Sequence, residues 1–249
     1  MAEGARGCAL ITGGARRIGR ALADACAASG FDVAIHCRQV DDDAHAAAAQ
    51  VRARGRKVVL LACDLRQEAA VVALVNGAEA ELGPVTLLVN NASLFEDDSF
   101  ASVNRASWDL HLETNLRAPV VLSQAFAARL PPGHEGLIVN ILDQRVLRPT
   151  PEFFSYTLSR CALWDATLMM AQALAPRIRV NAIGPGPVLA SIHQTPADFA
   201  AEAEATPLGH AVSPLEIAQA LNYLIDARSV TGQLIAVDSG QHLPAPERR

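Results

Sequence analysis

A chain of 249 residues with 51% hydrophobic and 19% charged residues is long enough to bury a substantial core as one large α/β domain. Its formal net charge of −5, with Lys57 the only lysine, argues against a nucleic-acid surface. No apolar run reaches the roughly 18 residues needed to span a bilayer, which argues against membrane insertion.

The start Met1-Ala2-Glu3-Gly4 leads almost at once into a strand-like run without a charged-then-apolar leader, so a soluble, cytoplasmic protein is expected. Five cysteines, odd in number and without C-x-x-C spacing, read as small core residues rather than a disulfide framework or zinc site. Seven histidines without H-E-x-x-H spacing predict no catalytic metal.

Short apolar runs predict strands over 8–12, 33–36, 58–62, 87–90, 137–141, 180–183 and 234–237. Helices are expected over 17–29, 42–54, 68–82, 105–129, 154–175 and 214–225, several stopped by glycine or proline. This alternation, without a linker, predicts a single α/β domain over 1–249. Its seven-stranded parallel sheet is doubly wound (Rossmann-type), with helices on both faces. Its ligand crevice should lie at the carboxyl ends of the strands. Residues 184–212 hold no strand and at most a short helix around 197–205, and so long a connection in a compact domain predicts a lid over substrate. The helix 154–175 is apolar on nearly every face and must be covered by its own chain or by another subunit.

The first strand runs into a glycine turn, Thr12-Gly13-Gly14-Ala15-Arg16-Arg17-Ile18-Gly19, which opens a helix. Glycine allows close approach of backbone to phosphate, and the helix start offers unpaired N–H groups, so the turn is suited to a diphosphate. Tyr156 and Arg160 are four residues apart and share a helix face. A cation beside a phenol favours the phenolate, which would bring the phenol from about 10 toward a usable range.

With these motifs go Asp64-Leu65 after the third strand, Asn90-Asn91-Ala92 after the fourth, Asn115 in the next helix, and Asn181-Ala182-Ile183-Gly184-Pro185-Gly186. Taken together in this order, from about 7 to 242, the chain resembles the short-chain dehydrogenase/reductases. Within them it is most similar to the pteridine reductases. Three features carry that narrower likeness: Arg17 where most of the superfamily has glycine, Asn91-Ala92-Ser93 followed by Phe95, and Asp143 where most relatives have serine.

The resemblance implies reduction of a dihydropterin or dihydrofolate ring by NADPH, with Tyr156 and Asp143 supplying the proton and Arg160 and Asn115 completing the catalytic set. The cofactor would be held by Thr12, Gly13, Arg16, Arg17, Ile18, Gly19, Asp64, Leu65, Asn91, Ala92, Ser93, Pro185 and Gly186. His36 and Arg38, at the end of the second strand, stand where a cation accommodates a 2′-phosphate, which favours NADPH over NADH. Arg17 is a forked donor for diphosphate and for a substrate carbonyl. Phe95 would stack on the flat ring in a sandwich with the nicotinamide, and Ser93 would hydrogen-bond the pterin or a cofactor phosphate. Asp143 can act as acid toward a ring nitrogen.

Relatives are commonly tetramers built through the helix 154–175, so a homotetramer is expected. The departure from the family is Arg160, where the pattern has lysine; a guanidinium binds and orients but does not readily relay a proton. Two alternatives follow: a carbonyl or 3-oxoacyl reductase on the same fold, and a non-catalytic NADP(H)-binding protein that kept the cradle and lost the lysine.

Overall fold

Runs such as Cys8–Ile11, Asp32–Cys37 and Gly136–Ile141 are buried along their whole length, so neither face of these strands meets water and both must be covered by helices. In the computed structural model, which describes residues 6–244, that demand is met by one parallel sheet. The expectation drawn from residues 1–4 lies outside the described residues.

The strands are β1 (Cys8–Ile11), β2 (Asp32–Cys37), β3 (Val58–Ala62), β4 (Val85–Asn90), β5 (Gly136–Ile141), β6 (Ile178–Pro185) and β7 (Leu234–Val237). Their order across the sheet is β3-β2-β1-β4-β5-β6-β7, all parallel. Chain direction across the sheet reverses between β1 and β4, which opens a crevice at their carboxyl ends.

The helices are α1 (Arg17–Ala28), α2 (Asp42–Ala53), α3 (Glu68–Leu82), α4 (Arg105–Leu112), α5 (Ala118–Arg129), α6 (Phe154–Leu174), α7 (Pro196–Glu204) and α8 (Pro214–Asp226). Alternation along β1 sends Ala9 and Ile11 into one core with α1 and α8, and Cys8 and Leu10 into another with α3 and α5. Cys8, Cys26 and Cys37 are buried, Cys63 and Cys161 half-buried, and all five thiols are free. Among the described residues no helix is long and apolar enough to cross a membrane.

Several starts carry the expected caps. Asn104 with Ser107, Thr195 with Asp198, and Ser213 with Glu216 form reciprocal capping boxes at α4, α7 and α8. The helix predicted over 105–129 is broken instead: Glu113–Arg117 winds as a π turn between α4 and α5. Pro119 has no N–H to offer the carbonyl of Asn115, so a regular α-helical ladder cannot pass this point. The break places the buried Asn115 side chain against the loop after β4.

α6 lacks a side-chain cap of its own. Its N-cap residue Phe153 has a left-handed backbone, φ +52°. The cap comes from the loop after β4, where Asp98 Oδ1 accepts from Ser155 N at 2.9 Å.

Candidate active site

The turn between β1 and α1 needs glycine for two reasons. Gly13 has φ +61°, and a Cβ on Gly19 would lie 2.0 Å from the Gly13 carbonyl oxygen. Thr12 locks this turn to the end of β4, its Oγ1 accepting from Asn91 N at 2.9 Å and Ala92 N at 3.0 Å. Asn91 Nδ2 returns the link by donating to Thr12 O at 2.9 Å and Gly13 O at 3.2 Å. Thr12 and Asn91 thus hold the backbone of the cradle rather than offer themselves to a ligand.

His36 needs a different role from the one expected. It is buried, with Nδ1 accepting from Gly13 N at 3.2 Å and Nε2 3.2 Å from the Cys63 carbonyl oxygen. An Nδ1 that accepts leaves the proton on Nε2, so the ring is neutral and ties the glycine turn to β3. Burial holds its pKa below the usual histidine value, against the opposing hydrogen bond to Cys63. It is therefore no cation for a 2′-phosphate; of the pair, exposed Arg38 keeps that role open.

Because the folded-state pKa of His36 is depressed, its contribution to stability is fully present above the ordinary histidine pKa of about 6.5 and is lost as pH falls through the folded value. The urea midpoint should drop between pH 7.5 and pH 5, and His36→Asn should flatten that drop.

Arg16 is turned away to ion pairs with Asp41 and Asp43, on the rim of the cradle. Asp64 accepts from the Arg66 side chain and backbone, which hold its carboxyl down to about 2. With Leu65, Ala92 and Ile18 it lines a cavity of about 540 Å³ beside the glycine turn.

A second cavity of about 570 Å³ adjoins the first, and Arg17, Ile18, Asn91 and Ser93 line both. Arg17 has φ +50°, a left-handed conformation that glycine adopts freely and an L side chain only at a cost of about 1–2 kcal/mol. Its guanidinium donates to Leu189 O at 2.9 Å and Ala190 O at 3.0 Å, in the segment between β6 and α7. Pro185 and Gly186 also line this cavity, and Gly186 lies so close to Asp238 that a Cβ would approach its Cα to 2.6 Å.

Tyr156, buried in the first turn of α6, donates its hydroxyl to Asp143 Oδ2 at 2.8 Å. Asp143 Oδ1 accepts from Arg145 N at 2.8 Å. Arg160 is also buried; its guanidinium carbon is 5.3 Å from the centre of the Tyr156 ring, and Nη1 donates to Ile141 O at 3.3 Å. Arg160 Nε has no hydrogen-bond partner among the described residues.

The phenol's pKa departs from the sequence expectation in sign. Burial, followed by the nearby Asp143, pushes it above the usual tyrosine value, and the opposing pull of Arg160 is outweighed. Tyr156 is therefore a protonated donor throughout the neutral range.

Asn115 does not reach the Tyr156 hydroxyl through a hydrogen bond of its own. Its amide is used by Leu94 N and Leu94 O, both at 2.9 Å, and by Ser159 Oγ at 3.2 Å. Ser159 Oγ donates to the Tyr156 carbonyl at 2.6 Å, so Asn115 positions the loop and helix rather than touching reacting atoms.

Phe95 is half of an aromatic pair. Its ring stacks on Phe153 with centroids 4.1 Å apart, and meets Tyr156 edge-on at 4.7 Å. One of its faces is thus already covered, and the wall available to a flat ligand is the pair. Ser93 is exposed, its Oγ donating to Leu94 O at 3.2 Å.

Spacing gave no sign of Phe153, nor of His193, whose Nε2 is 3.1 Å from the Phe95 carbonyl oxygen. It also gave none of Glu202, which accepts from Gln194 Nε2 at 2.6 Å and Gln241 Nε2 at 2.8 Å and joins the segment 186–212 to the C-terminal turn.

The pattern of the family described as short chain dehydrogenase matches residues 7–199. An uncharacterized oxidoreductase of Methylorubrum extorquens is 32% identical over 242 residues, 93% of this chain and 96% of that protein. The 3-oxoacyl-[acyl-carrier-protein] reductase FabG of Staphylococcus epidermidis is 26% identical over 240 residues, 94% and 98% of the two chains. Among solved structures, FolM alternative dihydrofolate reductase 1 from Brucella canis, complexed with NADP, is 45% identical with a TM-score of 0.90, covering 97% of this chain and 96% of that one. The chain is accordingly an oxidoreductase of the short chain dehydrogenase family.

Proposed function

We propose that the protein reduces a pterin ring, of dihydropterin or dihydrofolate type, at the expense of NADPH. The observation that carries this reading is the Tyr156–Asp143 hydrogen bond of 2.8 Å set against the Phe95–Phe153 wall: a phenol backed by a carboxyl group, beside a surface for a flat heterocycle. The likeness to FolM from Brucella canis at 45% identity supports it.

The residues present fit the cofactor. Gly13 and Gly19 make a tight turn that a Cβ would disrupt, and Arg160, which lines the second cavity, has a buried Nε without a partner among the described residues. The glycine turn with Ile18 would hold the diphosphate end, Arg38 the 2′-phosphate, and Arg160 the ribose hydroxyls beside the nicotinamide. When bound, NADPH supplies the hydride.

The chain supplies position and the proton. Phe95 and Phe153 set the plane of the substrate ring, and Arg17 meets a ring carbonyl at the cavity edge. Tyr156, whose hydroxyl Asp143 orients by accepting its hydrogen bond, would turn that proton to a ring nitrogen once substrate is seated and regain one from solvent. Residues 186–212, shorter than the expected 184–212 because β6 runs on to Pro185, act as the lid, latched to α1 by Arg17 and to the turn at Gln241 by Glu202. The five free thiols fit a reducing, cytoplasmic setting. Leu158 and Met169 on α6 are exposed, and a homotetramer would cover them.

The test is NADPH consumption at 340 nm with dihydrobiopterin, dihydrofolate and a 3-oxoacyl thioester side by side. Turnover of the pterins well above that of the thioester is expected. The reverse preference would assign the chain to the activity of its FabG-like relatives, and NADPH binding without turnover of any of them would favour a non-catalytic binder. Arg160→Lys should raise kcat in the same assay by several-fold, since an ammonium relays protons that a guanidinium keeps. A lysine variant no faster at saturating NADPH and substrate would count against Arg160 limiting proton supply.

A further inference from the structure

Beside the aromatic wall lies a buried polar chain that caps α6 through Asp98 and has no part in the reaction proposed above. His111, in the last turn of α4, and Ser155, in the first turn of α6, are fully buried, and Asp98 is nearly so. His111 Nε2 accepts from Glu96 N at 3.1 Å, and its Nδ1 is 2.7 Å from Ser155 Oγ. Ser155 Oγ in turn donates to Asp98 Oδ2.

The partners settle the direction of the chain. A ring nitrogen that accepts from a backbone N–H carries no proton, so the other one, Nδ1, donates to Ser155 Oγ. That frees the serine hydroxyl to donate to the carboxylate. Asp98 then accepts twice from Ser155, at Oγ and at N, while its carbonyl accepts from Phe154 N at 3.1 Å. A carboxylate at this helix start also meets the positive end of the α6 dipole.

The chain brackets Phe95. Leu94 is held on both backbone groups by Asn115, Glu96 is held by His111, and Asp98 is held by α6. The residue between the first two clamps stacks on Phe153 and meets Tyr156, the neighbour of Ser155. We infer that His111, Ser155 and Asp98 are positioning residues that register the Phe95 platform against the Tyr156 hydroxyl, and so set the placement of substrate without touching it. The inference rests on Tyr156 being the proton donor, as proposed above.

Two measurements on the full chain with NADPH present test this: deuterium uptake by residues 93–99, and steady-state kinetics with dihydrobiopterin. His111→Phe keeps a ring but loses both hydrogen bonds. It should raise uptake across this segment, raise the pterin KM and lower kcat by about tenfold, less than the roughly hundredfold that a 1 Å misplacement can cost. NADPH affinity, read by fluorescence, should change by less than kcat does, because the chain reaches the first cavity through Glu96 and makes no hydrogen bond to the glycine turn.

His111→Gln, whose side-chain oxygen can accept the Glu96 N–H, should restore both readouts to within about threefold of the wild type. Ser155→Ala, which spares the Ser155 N–H to Asp98, gives a milder version of the same pattern and serves if His111→Phe does not fold. Wild-type uptake and kcat in the folded variants, or NADPH affinity falling in parallel with kcat, would overturn the inference. A wild type inert toward pterins would overturn the proposed function instead, and uptake in the variants would still decide the present point.

Discussion

Tyr156→Phe is expected to lower kcat by about 10²–10⁴, the range supplied by a positioned proton donor, while leaving NADPH affinity within about twofold. The variant removes one oxygen from a buried site and keeps the ring that meets Phe95 edge-on. Its effect should therefore fall on the chemical step. Stopped-flow single turnovers with saturating NADPH separate that step from binding.

The same variant has a signature at high pH. The folded-state pKa of Tyr156 is raised by burial, so its contribution to stability is complete below the ordinary tyrosine value of about 10 and is lost as pH rises toward the folded one. The wild type should lose stability above about pH 10 more steeply than Tyr156→Phe. Equal slopes in urea unfolding would contradict a buried, protonated phenol.

Gly19→Ala should abolish tight NADPH binding while leaving most of the sheet intact. The added Cβ would stand 2.0 Å from Gly13 O and 2.7 Å from Asn91 Nδ2, so it strikes backbone and the amide that joins β1 to β4. Overpacking of this kind costs about 1–3 kcal/mol, and where that falls on the ligand-loaded turn it weakens binding by about ten- to hundredfold. NADPH fluorescence titration reads the loss, and circular dichroism checks the fold. Unchanged affinity in Gly19→Ala would mean that the cofactor does not use this turn.

Much of this architecture is legible in the sequence because its signals are local. A run such as Cys8-Ala9-Leu10-Ile11, closed by glycines and followed by a helix, marks a buried strand and its turn wherever the rest of the chain lies. The break in the helix 105–129 was also within reach, since Pro119 sits inside the predicted span. What failed was environment. His36 and Arg38 look alike as cations at a strand end, yet one is swallowed between the glycine turn and β3 while the other faces outward. Tyr156 beside Arg160 suggests a lowered phenol pKa, but burial is a property of the whole packed site and reverses the sign.

Contacts between distant segments left no trace in spacing. Phe153, which takes one face of Phe95, lies 58 positions further on, and Asp98, which caps α6, belongs to a loop between other elements. Arg17 is the instructive middle case. Its identity was readable as a departure from glycine, but its strained backbone and its grip on the carbonyls of Leu189 and Ala190 were not.

The most direct measurement is a crystal structure of the protein with NADP and a pterin bound together. The account predicts the pterin lying flat against the aromatic pair of Phe95 and Phe153, with a ring nitrogen within hydrogen-bond reach of Tyr156 or Asp143. A pterin held elsewhere, with the second cavity closed by the protein's own side chains, would contradict it.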